Sequence, residues 1–225
     1  MFWGDSSFVW YIIKRKKLSK LLYIIRHGQT DYNKLDIIQG SGINSDLNEF
    51  GRKQAELFYS KYKLEGFEVV YTSQLKRAIQ SVEGFIKMGI PHKSHYGLNE
   101  INWGIMEGKH SDTEQKEMFY SIVREWGKGN LDYAVEGGES PLQMMQRQLE
   151  FKEELLLQSQ SKILVSSHGR ALRGFLCLLT GKPLSDMQLF DHSNLGLYIL
   201  EQEEGAKFRI LKHNCKEHLE RIQTL

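Results

Sequence analysis

In the 225-residue chain, 40% of the side chains are hydrophobic and 26% are charged. This composition is typical of a globular protein with a packed core and excludes the class of proteins that form no core. Its formal charge of +2 is concentrated at the amino terminus, where residues 1–20 hold five lysines and arginines against Asp5 alone. The rest of the chain therefore carries a small negative charge, and we expect no nucleic-acid partner for it.

The first segment, residues 1–20, is a basic and apolar extension in which an apolar stretch from Phe8 to Ile13 precedes a basic cluster. This stretch is much shorter than the roughly 20 apolar residues of a membrane span. A secretory signal has its basic residues before the apolar stretch, whereas here they follow it. We expect an extension outside the domain and no integral membrane segment; a weak contact with a membrane surface is the alternative.

The remaining segments alternate between strand and helix patterns. A buried strand over residues 22–25 precedes an amphipathic helix over 48–66 that Gly66 ends, a strand over 67–73 and a helix over 74–90. Further on, Met118, Ile122 and Trp126 share one face of a helix predicted over 111–129. Next come a long helix over 137–160, a strand, turn and helix over 162–183, and two strands over 194–214 around a turn at 204–206.

A cap and first-turn pair, Ser140 and Pro141, marks the start of the long helix. The alternation of strands and helices predicts an α/β fold, a three-layer α/β/α sandwich with a mostly parallel central sheet. The last two strands are expected to form a hairpin that adds an antiparallel strand to it. The only two cysteines, Cys177 and Cys215, show no metal or redox spacing and indicate a reducing, cytoplasmic compartment.

Basic residues follow several of the predicted strands. Arg26 and His27 end the first strand, Arg77 follows the second, and His168 ends a later one. The carboxyl ends of parallel strands meet at the edge of a sheet where ligands bind. Guanidinium groups match phosphate oxygens bidentately, and the turn "SHGR" before a helix is expected to add backbone N–H donors. The sequence therefore predicts a phosphate pocket at this edge.

Several motifs carry a family resemblance: "RHGQTDYN", "LNEFGRKQA", "TSQLKRAIQS", "LNEINWGIMEG", "GGES" and "VSSHGRALRGFL". In this order they resemble the histidine phosphatase superfamily, the phosphoglycerate mutase-like enzymes, and specifically its phosphatase branch. The resemblance extends from about residue 20 to residue 200 and implies a single domain of this family over residues 21–225.

The resemblance implies a role for each matching residue. His27 is implied as the nucleophile that takes the phosphoryl group, and Glu100 as the proton donor. The rest of the implied phosphate pocket consists of Arg26, Arg77, His168, Asn33 and the backbone N–H of Gly169. Arg26, Arg77 and a protonated His168 would neutralise the phosphoryl oxygens. No His, Cys or Asp cluster has metal-ligand spacing, so we expect neither metal nor cofactor.

Other residues of these types have weaker support. The remaining histidines (His92, His95, His110, His192, His213 and His218) are interpreted as structural. Trp103 and Met106 are interpreted as core residues, with a place in the pocket wall as the alternative. Substrate choice is assigned to the loop over residues 39–44 and to the helical segment over residues 111–129.

The main hypothesis is a metal-independent phosphomonoesterase of the histidine acid phosphatase type that acts on a small phosphorylated metabolite. In cofactor-dependent mutases of the family, basic groups that hold a carboxylate follow the donor glutamate, whereas this chain has Ile101 and Asn102 there and no arginine pair before Gly137. Water is therefore the expected acceptor. A phosphoglycerate mutase and a catalytically idle binding module remain as alternatives, and the oligomeric state stays open.

Overall fold

The computed structural model describes residues 19–110 and 112–224, so most of the predicted amino-terminal extension lies outside the described residues. The strands are β1 (Leu21–Arg26), β2 (Val69–Thr72), β3 (His92–Ser94), β4 (Lys162–Ser167), β5 (Leu197–Gln202) and β6 (Phe208–Cys215). The α-helices are α1 (Asp31–Lys34), α2 (Glu49–Tyr62), α3 (Lys76–Gln80), α4 (Glu83–Lys87), α5 (Thr113–Gly127), α6 (Pro141–Leu157) and α7 (Gly169–Thr180).

The six strands form one sheet in the order β3-β2-β4-β1-β5-β6. The pairs β3–β2, β2–β4 and β4–β1 are parallel, whereas β5 runs antiparallel to β1 and β6 antiparallel to β5. The expected hairpin is confirmed, and it adds two antiparallel strands to the parallel part of the sheet. Consecutive parallel strands require crossover connections, which the helices supply.

Alternating side chains bury both faces of the sheet. In β1, Leu22 and Ile24 join the core beneath α5, α6 and α7, while Tyr23 and Ile25 join a second core beneath α2 and α4. Successive strand residues point to opposite faces, so a fully apolar strand is stable only between two helical layers. The predicted three-layer α/β/α sandwich is therefore confirmed.

The single helix expected over residues 74–90 is wrong, because the structure has two short helices, α3 and α4, in its place. The break falls at Val82, whose φ of −125° and ψ of 12° are not helical. Just before it, the Ser81 hydroxyl donates to the carbonyl of Arg77 and accepts the backbone N–H of Gly28 at 2.8 Å. A serine side chain competes in this way with helical backbone bonds, and here it joins the end of α3 to the loop after β1.

Two further expectations concern helix faces and starts. The helix predicted over residues 111–129 is confirmed as α5. On its predicted face Ile122 and Trp126 are buried, whereas Met118 is 38% exposed. The spacing of Phe119 and Ile122 follows the buried face more closely, since Phe119 packs against the core. The predicted start of α6 is confirmed: Ser140 forms a capping box, and Pro141 is the first helical residue.

Lys20, which the sequence analysis counts with the extension, is buried at the base of the sheet. Its ammonium group donates to the carbonyls of Gln158 at 2.6 Å and Gln160 at 2.8 Å. Among the described residues, no helix combines the length and the apolar character that a bilayer crossing requires.

Candidate active site

The candidate site lies at the carboxyl ends of the parallel strands. The register pairs Arg26 of β1 with Ser167 of β4, and Thr72 of β2 with Ser166 of β4. The residues that follow these strands therefore reach the same edge of the sheet. His27 and His168 meet there, with their ring centroids 5.0 Å apart. The structure thus brings the two predicted histidines together, as the strand ends indicated.

His27 is held as a neutral ring in a defined tautomer. Its Nδ1 lies 2.7 Å from the carbonyl oxygen of Gly28, which can only accept, so Nδ1 carries the proton. Burial, together with the charges of Arg77 and Arg26, lowers the pKa of His27 well below its ordinary value. The remaining nitrogen, Nε2, therefore carries a free lone pair, which is the state that a nucleophile requires.

His168 and Arg77 lie behind His27 as a fully buried pair. The Arg77 guanidinium donates to Nδ1 of His168 at 3.2 Å and to the carbonyls of Gly40 and Ile43. Because Nδ1 accepts, the neutral ring carries its proton on Nε2, which lies 2.7 Å from the hydroxyl of Ser73. Burial and then Arg77 lower the pKa of His168 well below its ordinary value. His168 would neutralise phosphoryl charge only if it were protonated, and this condition is not met, because a buried ring beside arginines stays neutral.

Glu100 lies across the start of α7 and is buried. Its Oε1 accepts the backbone N–H groups of Ile101 at 3.0 Å and Ala171 at 2.8 Å, and its Oε2 accepts that of Arg170 at 3.1 Å. The sequence predicts that the N–H groups at the start of this helix point at the phosphate. The structure corrects this: Glu100 itself occupies two of these donors, because a carboxylate is a favourable partner for a helix N-terminus.

Arg26 is held by a loop that the sequence analysis did not assign to the site. Its Nη1 lies 3.2 Å from Nδ1 of His192, while its buried Nε has no hydrogen-bond partner. Asn194 donates to the carbonyl of His27 at 2.9 Å. Burial and the neighbouring Arg26 lower the pKa of His192 to about 2, so this ring is neutral and accepts from Arg26. His192, which is interpreted from the sequence as structural, therefore lies in the cavity wall and holds Arg26.

The antiparallel direction of β5 explains why this loop reaches the site. Because β5 runs against β1, the residues that precede β5 lie at the same edge as the residues that follow β1. The prediction of the site used only the residues at the carboxyl ends of the parallel strands. Including the residues that precede a strand running antiparallel to β1 would have identified His192 and Asn194 as candidates for the site.

A cavity of about 440 Å³ opens at this edge, a size that suits a small ligand. Its wall comprises Arg26, His27, Asn33, Asp36, Ile37, Ile38, Gln39, Glu100, Trp103, Lys116, Phe119, Tyr120, Gly169, Arg170 and His192. Five of the predicted site residues thus line one cavity, and only Arg77 and His168 lie behind it. Of the two segments assigned to substrate choice, α5 does contribute. The loop contributes through residues 36–39, of which only Gln39 falls within the predicted range 39–44.

Asn33 and Gly169 have constrained places in this wall. The Asn33 side-chain oxygen accepts from the Thr30 N–H at 3.3 Å and from Asn194 at 3.2 Å, so within the described residues only its NH2 group is left to donate. A Cβ atom at Gly169 would come within 3.0 Å of the His192 ring, so a glycine permits this close approach. Trp103 is 5% exposed and lines the cavity, whereas Met106 is wholly in the core.

The loop that carries Glu100 is held from behind by Arg147 of α6. Its guanidinium donates to the carbonyls of Tyr96, Gly97, Asn99 and Glu100 at 2.9–3.2 Å. The same group forms two bonds with the Glu139 carboxylate, at 2.7 and 2.8 Å. Glu139 belongs to the "GGES" motif, so this motif positions the donor loop and does not line the cavity.

Among the described residues, no group of three or more His, Cys, Asp or Glu side chains is arranged to hold a metal ion. The positive charge at the cavity comes from arginine. Arg26, Arg77 and Arg170 are all buried deeply enough that desolvation lowers their pKa, to about 10, about 10 and about 9. All three remain cationic at neutral pH and can stabilise an anion in a site with little water.

An α/β sandwich with a neutral histidine, a carboxylate and arginines at its sheet edge defines a site for phosphoryl chemistry. The family model of the histidine phosphatase superfamily (branch 1) matches residues 22–216. The chain therefore belongs to this superfamily, and the predicted resemblance is confirmed.

Known relatives include both hydrolases and a mutase. Phosphoserine phosphatase 1 from Hydrogenobacter thermophilus is 28% identical over 200 residues, which cover 88% of this chain and 93% of the relative. A 2,3-bisphosphoglycerate-dependent phosphoglycerate mutase from Nitrobacter winogradskyi is 31% identical over 170 residues, which cover 71% of this chain and 81% of the relative.

The crystal structure of alpha-ribazole phosphatase from Shigella flexneri superposes with a TM-score of 0.75. At 23% identity, over 87% of this chain and 96% of that one, it supports the shared fold alone. The family match and the phosphatases among the relatives support a phosphatase of the histidine type in general.

Proposed function

We propose that this protein hydrolyses small phosphomonoesters through a phosphohistidine on His27, with Glu100 as the proton donor and no metal ion. One observation carries the proposal. The His27 ring donates through Nδ1 to Gly28, so that its unprotonated Nε2 is available in the same cavity as Arg26 and Glu100. These three groups supply a nucleophile, an oxyanion partner and an acid, which together suffice for a double displacement.

In the first half of the reaction, the His27 Nε2 lone pair attacks phosphorus, and the bond from phosphorus to the ester oxygen breaks. The departing alkoxide takes a proton from Glu100, which enters this step as the carboxylic acid and leaves it ionised. Arg26, whose buried Nε has no partner among the described residues, is placed to donate to the phosphoryl oxygens. His27 keeps its Nδ1 proton throughout, so the charge of the phosphorylated ring is stabilised by the Gly28 carbonyl.

In the second half, a water molecule attacks the phosphorus of the phosphohistidine, and the ionised Glu100 takes the proton from this water. The bond from phosphorus to Nε2 breaks, phosphate leaves, and both residues return to their starting states. The backbone N–H groups of Ile101, Arg170 and Ala171 hold the carboxylate in one orientation. A fixed carboxylate can serve both half-reactions, since the leaving oxygen and the attacking water occupy the same position.

Phosphoglycerate mutase activity is the second candidate, and the presence of mutases among the relatives favours it. Against it, the two residues directly after Glu100 do not line the cavity: Ile101 is buried in the core, and Asn102 accepts the Gly104 N–H at 2.8 Å. A mutase must retain its substrate for a second transfer, whereas a hydrolase only has to admit water. A coupled assay of 3-phosphoglycerate conversion compares the two rates directly.

The first experiment measures hydrolysis of p-nitrophenyl phosphate and glycerol 3-phosphate in excess EDTA. We expect metal-independent phosphate release that His27→Ala abolishes together with acid-labile labelling of the protein. His213→Ala, at an exposed histidine, is the matched control and is expected to retain activity. Activity that survives in His27→Ala, or that EDTA removes, would overturn the proposal.

A leaving-group comparison tests the role of Glu100. Nitrophenolate leaves without a proton, whereas the glycerol alkoxide needs one. We therefore expect Glu100→Ala to lower kcat/KM for glycerol 3-phosphate by about 10²–10⁴-fold, and to lower that for p-nitrophenyl phosphate much less. Equal losses for the two esters would contradict proton donation by Glu100.

A further inference from the structure

Apart from Lys116, which pairs with Asp36, the cavity wall has one cation that the phosphoryl chemistry does not use. Arg170, the second residue of α7, lines the same cavity as His27 and Glu100. It is only 7% exposed, and its Nη1 is buried with no hydrogen-bond partner. Burying a charged donor without a partner is costly, so a group in this state is uncommon in a folded protein and indicates a ligand that completes it.

Aromatic rings surround this guanidinium and offer it no hydrogen-bond acceptor. The guanidinium carbon lies 5.4 Å from the ring centre of Trp126, 5.7 Å from that of Phe119 and 5.9 Å from that of Trp103. Such rings stabilise the cation and fix its plane. They leave its Nη1 unsatisfied, however, because a ring face does not replace the oxygen partners that the guanidinium has in water.

The carboxylates near this group are already engaged. Glu100 accepts the backbone N–H of Arg170 and not its side chain. Asp36 at the cavity wall forms an ion pair with Lys116 at 3.0 Å. No carboxylate in the described part of the chain forms an ion pair with Arg170. The charge of this guanidinium is therefore available to a ligand in the cavity.

We propose that Arg170 binds a second anionic group of the substrate, so that the preferred substrates are phosphomonoesters with an additional carboxylate or phosphate. This inference rests on the proposed function, since it assumes that the reacting phosphoryl group occupies the cavity at His27. The planar guanidinium pairs with either anion through two parallel hydrogen bonds. Arg170 is thus a specificity-determining residue that supplies the second cation which the segment after Glu100 lacks.

The main test compares pairs of esters that differ by one anionic group. The first pair is O-phosphoserine and O-phosphoethanolamine, and the second is fructose 1,6-bisphosphate and fructose 6-phosphate. We expect the wild type to favour the doubly anionic ester of at least one pair in kcat/KM, by about 10- to 100-fold. The pair that shows the preference identifies a carboxylate or a phosphate as the second group.

Arg170→Met is expected to bring this preference close to one, and Arg170→Lys to retain part of it, since lysine keeps the charge but loses the planar fork. Arg124→Met, at an exposed arginine of the neighbouring α5, is the matched control and should keep the full preference. Near-equal kcat/KM values within both pairs, or an undiminished preference in Arg170→Met, would overturn the inference. If Arg170→Met does not fold, Arg170→Lys replaces it in the comparison with the wild type. A reduced preference in Arg170→Lys supports the inference, and an undiminished preference overturns it.

A binding measurement separates this inference from the proposed function. By calorimetry, the wild type is expected to bind phosphonoacetate more tightly than ethylphosphonate, and Arg170→Met to lose this difference. These phosphonates report on the second anion without any turnover. Wild-type protein that discriminates between them but hydrolyses no ester would refute the proposed function alone, whereas active protein that does not discriminate would refute the inference alone.

Discussion

Replacing Arg147 with methionine tests how the fold holds Glu100. Arg147 is 5% exposed and gives its guanidinium to the Glu139 carboxylate and to four backbone carbonyls of residues 96–100. In Arg147→Met, the mostly buried Glu139 carboxylate loses its partner. Breaking a buried ion pair from one side destabilises a protein by about 3–5 kcal/mol, a large share of the roughly 5–15 kcal/mol that a domain has in total.

A second variant separates the two contributions to this loss of unfolding free energy, the unpaired Glu139 charge and the broken bonds to the backbone carbonyls. Adding Glu139→Gln to Arg147→Met removes the uncompensated charge of Glu139 but does not restore the lost hydrogen bonds to the backbone carbonyls. We expect the double variant to be more stable than the sum of the two single changes predicts, with a coupling free energy of about 1–3 kcal/mol. Arg209→Met provides a matched control, because Arg209 pairs with Glu201 at 2.9 Å on the exposed edge of the sheet. Such an exposed pair contributes only about 0–1 kcal/mol.

Denaturant unfolding followed by tryptophan fluorescence and circular dichroism measures these free energies. A structural role alone would not change the leaving-group dependence of hydrolysis. We therefore expect folded Arg147→Met to lose more kcat/KM for glycerol 3-phosphate than for p-nitrophenyl phosphate, because the acid is displaced. Arg147→Met that loses less than about 1 kcal/mol of unfolding free energy would contradict a stabilising role of this pair in the donor loop. Strictly additive free-energy changes in the double variant would contradict it as well.

Two further predictions concern stability away from the chemistry. Burial lowers the pKa of His218 to about 4, against an ordinary value of 6.5. Between these pH values the unfolded chain binds a proton that the folded chain excludes. The free energy of unfolding therefore falls as the pH drops from 6.5 towards 4. His218→Phe, beside Phe58 and Tyr62, should reduce the slope of unfolding free energy against pH by up to about 1.4 kcal/mol per pH unit; an unchanged slope in denaturant titrations would contradict this. A Cβ atom at Gly51 would lie 2.0 Å from the Gln29 carbonyl oxygen, whereas one at Gly127 meets nothing within 4 Å, so melting curves should show Gly51→Ala strongly destabilised and Gly127→Ala unharmed. Equal melting temperatures for these two variants would show that the loop after His27 adapts to the added methyl group.

The placement of His27 and His168 at one edge of the sheet could be predicted from the sequence. Each follows a short apolar run, and parallel strands bring such ends together whatever the remaining topology. The neutral state of His168 could not be predicted in this way. It depends on Arg77, which lies 91 positions away along the chain yet donates to its ring, and on complete burial of both side chains.

The amino-acid sequence by itself determined the α/β class, the start of α6 and the set of strand-end residues, because these follow from local periodicity, capping and order along the chain. Only the tertiary structure decided which residues share the cavity. The direction of β5 brings His192 to Arg26, and the packing of α5 against α7 encloses the Arg170 guanidinium in aromatic rings. Such contacts join segments far apart in the chain, and their strength depends on burial, which no local pattern records.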